Sequence, residues 1–359
     1  LDELEKEIFD KISSKEINGL KTLLTQVKGS VNFTNENGMS PLQHACYMGN
    51  KDIVQILVDQ GADVNFSNQQ GSEYTPLHFA ALSGSVDTIL ILLLAGANPN
   101  AVNSVSRTPS QMAAFVGNHH CVSTINSFVP KSEIEYYTKV QGQQDEPYLP
   151  AFLLDSFHKF LIRVSLHPVR IALSLNKTTN LLANLKKCKK VLELMTKREM
   201  GKTNNINEIF AFKFHYLAYI FGKLLECEED HPKDFIKLFV KRVLKPNKSG
   251  QLDYLDYLIK EASGEFAFRE CTIFRQLISQ LTSQDGLPAI EVLKNAINGQ
   301  RGFADEIKWC AACGEEGAAN TCSKCVQTHY CDQECQKLHW FVHKKECSTP
   351  SKDTSNPVP

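Results

Sequence analysis

Thr75-Pro76-Leu77-His78-Phe79-Ala80 is the stretch that decides the fold. Threonine before proline marks a helix start. The hydroxyl suits the N-cap, and proline at the first helical position gives up only a donor that would go unpaired anyway. Moving outward, the same start recurs as Ser40-Pro41-Leu42 and as Thr108-Pro109-Ser110, offset by 35 and 33 residues. Gly49, Gly84 and Gly117 follow at a fixed distance, where a left-handed residue can end the first helix of each copy. Gly61-Ala62-Asp63-Val64-Asn65 and Gly96-Ala97-Asn98-Pro99-Asn100 come next. Apolar runs at Ile53-Val54, Ile56-Leu57 and Ile89 through Leu94 mark second helices that pack on neighbouring copies. Each copy therefore reads turn, helix, turn, helix, and such units bury their faces only by stacking.

From about residue 35 to 128 this pattern resembles the ankyrin repeat. Gln43 and Gln111 replace the signature histidine, and two extra residues lengthen the turn around Gln69 to Glu73. The third copy ends at Phe128-Val129-Pro130 without a Gly-Ala-Asp segment, which suits a terminal cap, and residues 4–34 read as a degenerate first repeat closing the other end. The expected N-terminal region is thus 1–130, with further repeats at about 35–66, 70–101 and 104–130. The resemblance implies a protein-binding scaffold whose concave face uses turn tips and first helices. By repeat position these include Asn68, Gln69, Phe79, Asn103 and Phe115. The plainer alternative is that the array is purely architectural.

Residues 131–305 hold no phosphate loop, nucleophile elbow or metal spacing. Their periodicity is helical, as in Phe152, Leu153, Phe157, Phe160, Leu161 and Val164 on one face and Leu181, Leu185, Val191, Leu192 and Met195 on another. Ile206 to Leu225 is apolar nearly all round, which predicts a central helix of a bundle. With no internal period, this is an irregular α-helical domain. Lys186, Lys187, Lys189 and Lys190 fit either a solvated helix face, the commoner case, or a docking point for an acidic partner.

Seven of the twelve cysteines fall between Cys310 and Cys347, while Cys46, Cys121, Cys188, Cys227 and Cys271 lie apart and suit small apolar core residues. Clustering in CxxC pairs points to metal in a reducing compartment rather than a disulfide framework, so the expected location is intracellular. The run is C-x2-C-x8-C-x2-C-x5-C-x3-C-x7-H-x3-C, supplied by Cys310, Cys313, Cys322, Cys325, Cys331, Cys335, His343 and Cys347. Eight ligands suffice for two tetrahedral zinc ions. Four protein ligands per ion leave no open position, so both metals are structural. Spacing alone does not divide the ligands between the ions, and His339 is a competing imidazole one helical turn before His343.

The pattern, within 306–350, is similar to the MYND zinc finger. That resemblance implies an interleaved cross-brace, with Cys310 and Cys313 sharing one zinc with Cys331 and Cys335. Cys322 and Cys325 then share the other with His343 and Cys347. It also implies a module that binds short proline-rich segments through Ser323, Gln336 and Trp340. A ring stacked on proline suits an extended, pre-ordered ligand, although Trp340 would also serve as packing in a tiny core. Residues 351–359 read as a polar tail.

Across its length the chain resembles the ankyrin repeat and MYND domain-containing protein 2 family. The likeness is carried by Asn35-Glu36-Asn37-Gly38-Met39, by Arg107 through Gly117, and by Gln333 through Lys345. The fold expected is mainly α: an ankyrin solenoid, an irregular helical middle and a small two-zinc finger. The resemblance implies a non-enzymatic, cytoplasmic adaptor, connected with trafficking of signalling proteins to cilia. A nuclear corepressor-type adaptor is the alternative. A lysine methyltransferase fits less well, because Asn118-His119-His120-Cys121 falls at the start of a repeat helix and no cofactor glycine loop accompanies it. Thirty-nine basic residues against forty acidic ones argue against nucleic-acid binding by bulk charge. The longest apolar run, Ile89 to Ala95, is far short of the ~20 residues that span a bilayer.

Overall fold

The structure, a computed structural model, describes residues 2–27, 29–67, 71–142, 144–203, 206–283, 287–299 and 307–347. Asn68, Gln69 and the tail 351–359 lie outside the described residues. The described chain forms two compact units.

The first unit is the repeat array. Helix pairs α1 (Glu3–Ser13) and α2 (Ile17–Leu24), α3 (Pro41–Tyr47) and α4 (Lys51–Asp59), α5 (Pro76–Ser83) and α6 (Val86–Leu94), and α7 (Pro109–Val116) and α8 (His119–Ser127) follow one another as the period predicts. Leu42, Ile53, Leu57, Leu77, Ile89 and Leu92 are wholly inaccessible and form a continuous core through the stack. Gly84 and Gly117 end α5 and α7 in the left-handed region, at φ of 77° and 84°, which a side chain would strain.

Gln43, which departs from the repeat signature, performs the missing histidine's task, and Gln111 performs its capping half. His78 Nδ1 accepts from the Thr75 backbone N–H at 3.1 Å, and its other ring nitrogen lies 3.0 Å from the Arg107 carbonyl in the next turn. Gln43 does the same with an amide, since its Oε1 accepts from Ser40 N–H at 2.8 Å and its Nε2 donates to the Tyr74 carbonyl at 2.7 Å. Gln111 caps Thr108 N–H at 2.9 Å. An oxygen acceptor on one side and an N–H donor on the other are all the position requires. Burial lowers the His78 pKa, so the ring stays neutral with one nitrogen free to accept.

The far end of the array is closed by chain from elsewhere in the sequence. Residues 161–164 and 297–299 belong to this unit, Ile162 packs on its core, and Asn298 donates to the Val164 carbonyl at 3.1 Å.

The second unit holds the middle helices together with the finger, which the sequence pattern divides at 305/306. Helix α9 (Lys131–Glu135) belongs to the first unit as far as Ile134, and the helices of the second are α10 (Leu154–Leu161), α11 (Pro168–Asn176), α12 (Thr179–Leu182), α13 (Leu185–Met200), α14 (Glu208–Asp230), α15 (Phe235–Val243), α16 (Asp253–Gly264), α17 (Thr272–Leu281) and most of α18 (Ala289–Asn298). The central helix is α14, buried on several faces through Phe212, Tyr216, Leu217, Ile220 and Phe221. It begins later than the apolar run. Asn207 caps it by accepting from Phe210 N–H at 3.0 Å, and Ile206 is exposed. It also contains a side chain its pattern does not advertise, since Lys213 is 1% exposed. Of the four-lysine run on α13, Lys187 pairs with Glu146 at 3.9 Å and Lys189 with Glu193 at 3.6 Å, while Lys186 and Lys190 are exposed.

The five scattered cysteines are buried and unbridged, as their isolation predicts. Burial pushes the Cys121 thiol up to about 11 and Cys188 to about 12, so neither is a reactive thiolate.

Candidate metal centre

The finger is held by little hydrogen-bonded structure. Strand β1 (Asn320–Thr321) pairs antiparallel with β2 (His329–Tyr330), and α19 (Gln333–His343) follows, its N-cap Asp332 accepting from Cys335 N–H at 2.9 Å. Two knuckles present the first cysteines of each set. Gly314 N–H donates to the Cys310 carbonyl at 2.9 Å, and Val326 N–H to the Cys322 carbonyl at 2.8 Å. Val326 sits at φ 57°, a left-handed conformation unusual for a β-branched residue, and its side chain is exposed.

All eight sequence-predicted ligands converge, and they divide as the cross-brace implies: Cys310, Cys313, Cys331 and Cys335 in one set, Cys322, Cys325, His343 and Cys347 in the other. Within each set the ligand atoms lie within 4.8 Å of one another. Cys313 Sγ is 3.6 Å from Cys331 Sγ and 3.8 Å from Cys335 Sγ, and Cys322 Sγ is 3.8 Å from Cys347 Sγ. Zinc–sulfur bonds of ~2.3 Å in a tetrahedron give a sulfur–sulfur edge of ~3.8 Å. Disulfides would bring the sulfurs to ~2.05 Å, so these are ligand edges. Cys325 Sγ to His343 Nε2, at 3.6 Å, fits the slightly shorter sulfur–nitrogen edge.

Without a cation the close thiols compete for their protons. Thiol hydrogen bonds from Cys313 and Cys335 hold the Cys310 thiol far below its ordinary range, and the thiol of Cys313 is pushed correspondingly far above. Four sulfurs this close cannot all ionise unaided, whereas a divalent ion makes four thiolates favourable. In the second set, backbone N–H donors led by Gln327 bring the Cys325 thiol down to about 6. The donor sets therefore fit two structural zinc ions. Metal analysis of the purified chain is expected to give two zinc per molecule. A ratio near one would break the eight-ligand assignment.

Neighbouring residues with no metal spacing of their own complete the centre. Thr328 Oγ1 lies 3.3 Å from His343 Nδ1, which fixes the ring so that Nε2 faces the sulfurs. The competing imidazole, His339, turns its Nδ1 to the Tyr330 hydroxyl at 3.1 Å and lies alongside His343 with ring centroids 6.3 Å apart. The middle helices also reach the first set. His167 caps α11 by accepting from Val169 N–H at 3.2 Å, and its ring lies 2.9 Å from where a Cβ on Gly314 would sit. Burial, reinforced by Lys294, pushes His167 down to about 3, so it packs there as a neutral ring. Arg170 approaches Glu315 at 4.0 Å, Lys177 bridges Asp332 at 3.5 Å and Glu334 at 3.2 Å, and Lys294 lies 4.6 Å from the Trp309 ring centroid.

The sequence-predicted contact residues have different fates. Ser323 is exposed in the second knuckle, and Gln336 and Trp340 sit one turn apart on α19, half-buried and exposed respectively. The indole meets His343 edge-on with centroids 5.8 Å apart. In the array, Phe115 is 71% exposed with Arg107 over its ring at 4.8 Å, and Phe79 lies among Tyr47 and Tyr74. Asn103 does not present its side chain to a partner. It is buried, and its Oδ1 accepts from Val105 and Arg107 N–H at 3.1 and 2.9 Å, so it builds the turn.

Comparison with known proteins matches the ankyrin-repeat family, in three copies, over residues 11–103 and the MYND finger family over residues 310–347. The chain is 31% identical over 353 residues to Dauer abnormal formation protein 25 of Caenorhabditis elegans, a match covering 95% of this chain and 89% of that protein. It is 32% identical over 103 residues to the E3 ubiquitin-protein ligase hecd-1 of Caenorhabditis elegans, covering 29% of this chain and 4% of the ligase. Human BCL-6 corepressor-like protein 1 is 36% identical over 84 residues, 23% of this chain and 5% of that protein. Among the described residues no helix is long and apolar enough to cross a membrane.

Proposed function

Because the chain belongs to the family of Caenorhabditis elegans Dauer abnormal formation protein 25, sharing its sequence nearly end to end, we propose that it is a non-enzymatic adaptor with two protein-binding surfaces. The resemblance to the ankyrin repeat and MYND domain-containing protein 2 family gives that adaptor its role: a cytoplasmic protein, associated with cilia, that assists the trafficking of signalling proteins. The observation that carries the adaptor reading is the combination of closed metal sets with exposed side chains beside them. Each set has four protein ligands and so offers a substrate no coordination position. Trp340 and Gln336 instead lie on the outer side of α19, where a ring and an amide suit a proline-rich segment. The ankyrin face contributes Phe79 and Phe115, and the turn containing Asn68 and Gln69 is assigned to the same face by repeat position.

The match to the E3 ligase covers 4% of that protein and supports a shared repeat more than a shared activity. The corepressor-like relative favours a second reading, a nuclear adaptor acting on proline-rich corepressor segments. Imaging of the full-length protein separates the two readings, and calorimetry with S-adenosylmethionine, expected to show no binding, tests the methyltransferase.

The decisive experiment is a titration of the full chain with proline-rich peptides. Trp340→Ala is expected to weaken binding about thirtyfold, since an aromatic stack plus the apolar area it buries is worth on the order of 2 kcal/mol. Gln336→Ala is expected to cost less, about 1 kcal/mol for a solvent-accessible hydrogen bond. Both variants should retain two zinc ions. Release of zinc by Trp340→Ala would instead make the indole a structural support for His343.

A further inference from the structure

Helix α19 has a second face that the proline-binding reading leaves unused. Successive residues are turned by ~100°, so Glu334 and Leu338 point about 160° away from Gln336 and Trp340. On that far side they line a cavity of about 530 Å³ within the second unit. Its apolar lining comes from α11, α12, α15 and α19: Leu173, Leu182, Phe235, Ile236 and Leu338. The volume falls within the range of ligand-binding clefts, ~300–1,000 Å³.

The charges at the mouth are unequal. Lys237 is satisfied by Asp234 at 3.2 Å, and Lys177, close by, is satisfied by Asp332 and Glu334. Lys233 and Lys337 line the same cavity and are exposed, and neither has an acidic partner among the described residues. A cleft with an apolar floor and two uncompensated cations at its rim is complementary to an apolar anchor flanked by carboxylates. Asp234 and Glu334 on the same rim are each paired with a lysine, so the mouth keeps a small positive surplus that suits one or two carboxylates better than the run of phosphates of a nucleic-acid backbone. Asn176 is the one uncharged polar side chain of the lining, too few donors to converge on a small polar metabolite.

We propose that this cleft is a second peptide-docking site of the finger. Its occupant is a short acidic–apolar–acidic segment of a partner protein, with leucine or phenylalanine seated against Leu338, Phe235 and Ile236 and acidic residues reaching Lys233 and Lys337. The inference deepens the adaptor reading and rests on it only in taking the occupant to be protein. Two sites on opposite faces of one helix allow a partner carrying both motifs to bind bivalently. The second contact then forms at the effective concentration set by the linker rather than at bulk concentration.

The test uses the full-length, zinc-loaded chain and fluorescence anisotropy. The probes are a panel of fluorescein-labelled octapeptides that place Leu-Leu or Leu-Phe between Asp and Glu residues. Two control peptides replace either the apolar pair with serine or the acidic residues with lysine. At least one acidic probe is expected to saturate in the micromolar range, and both controls are expected to bind at least tenfold more weakly. The double variant Lys233→Glu/Lys337→Glu changes exposed side chains alone and should retain two zinc ions while weakening the probe more than tenfold. Leu338→Ala should weaken it severalfold, and Trp340→Ala should leave it within twofold. Absence of saturation across the panel, or indifference to the double charge reversal, overturns the proposal. Loss of the acidic probe in Trp340→Ala also overturns it, by placing the peptide on the opposite face. Failure of the proline-binding reading is seen separately, in the proline-rich titration, which the lysine variants should leave unchanged.

Discussion

Serine at Cys313 is expected to damage the protein over a wider region than serine at Cys322, although both remove one thiolate from a four-ligand site. The first zinc set is built into the middle helices. His167 of α11's N-cap fills the space over Gly314, Arg170 faces Glu315, and Lys177 binds the acids at the start of α19. Helix α19 packs on α15, but among the described residues no hydrogen bond or ion pair joins the middle helices to the ligands Cys322, Cys325, His343 and Cys347. A structural zinc supplies ~10–16 kcal/mol of folding free energy to its immediate scaffold. Losing the second therefore collapses the outer knuckle and the peptide face, while losing the first also withdraws the surface on which α11 rests. Cys322→Ser is expected to retain one zinc per chain, with α11 and α15 amides as protected from hydrogen exchange as in the parent. Cys313→Ser is expected to release protection in both helices. If that loss costs the second unit about 3 kcal/mol, its thermal transition falls by roughly 6–12 °C. Equal protection of α11 and α15 in the two variants would show that the finger is energetically independent of the helices it touches.

Replacing Lys213 with methionine is expected to flatten the dependence of stability on pH, with its most favourable effect relative to the parent at the acidic end of the neutral range. Burial in the middle of α14 pushes the Lys213 ammonium down to about 7 from its ordinary 10.5. Between those pH values the unfolded chain binds a proton that the folded chain does not, so stability rises with pH across this window. Below pH 7 the side chain is charged in both states and the full cost of burying the ammonium is present, on the order of 5 kcal/mol. Methionine is unbranched and of similar length, so it fills the space without the charge. Urea denaturation at pH 6.5, 8 and 9.5 should show the parent gaining stability with pH while Lys213→Met stays nearly flat over this contribution. Parallel profiles would mean that the ammonium is accommodated where it lies.

These two predictions concern residues with very different visibility in the sequence. The zinc ligands are legible because a tetrahedral metal imposes local spacings, and the repeats are legible because the same cap recurs three times. Gln43 and Gln111 look like departures when the signature is read as an identity. The function of Gln43 follows when the position is read as one acceptor and one donor, and that of Gln111 from the acceptor alone. Thr328, His167 and Arg170 carry no such mark. They meet the finger through tertiary packing, in two cases from more than 130 residues away, and nothing periodic links them to the cysteines. Lys213 is hidden for the opposite reason, because a single polar residue in a helix apolar nearly all round does not alter its pattern. Asn103 was legible as a turn residue, but its position in the repeat could not show whether its amide faces outward or, as here, inward to the backbone.

The relay from His78 to the Arg107 carbonyl and from Gln43 to the Tyr74 carbonyl runs one way along the chain. Gln43 and His78 each lend a side-chain donor to the backbone of the repeat that follows, whereas Asn118 donates back to the Ala81 and Leu82 carbonyls, so the signature position has a direction that the rest of the array does not share. Trimming it from the N-terminal side removes donors and leaves behind carbonyls that water can satisfy. Trimming from the C-terminal side strips the carbonyl from a buried imidazole or amide and strands a donor in the interior, a cost of roughly 1–3 kcal/mol at each cut. Shortened forms that begin at Ser40 should therefore remain soluble more readily than forms that end after Asn100. A nascent chain emerging N-terminus first holds each repeat incompletely bonded until its successor arrives.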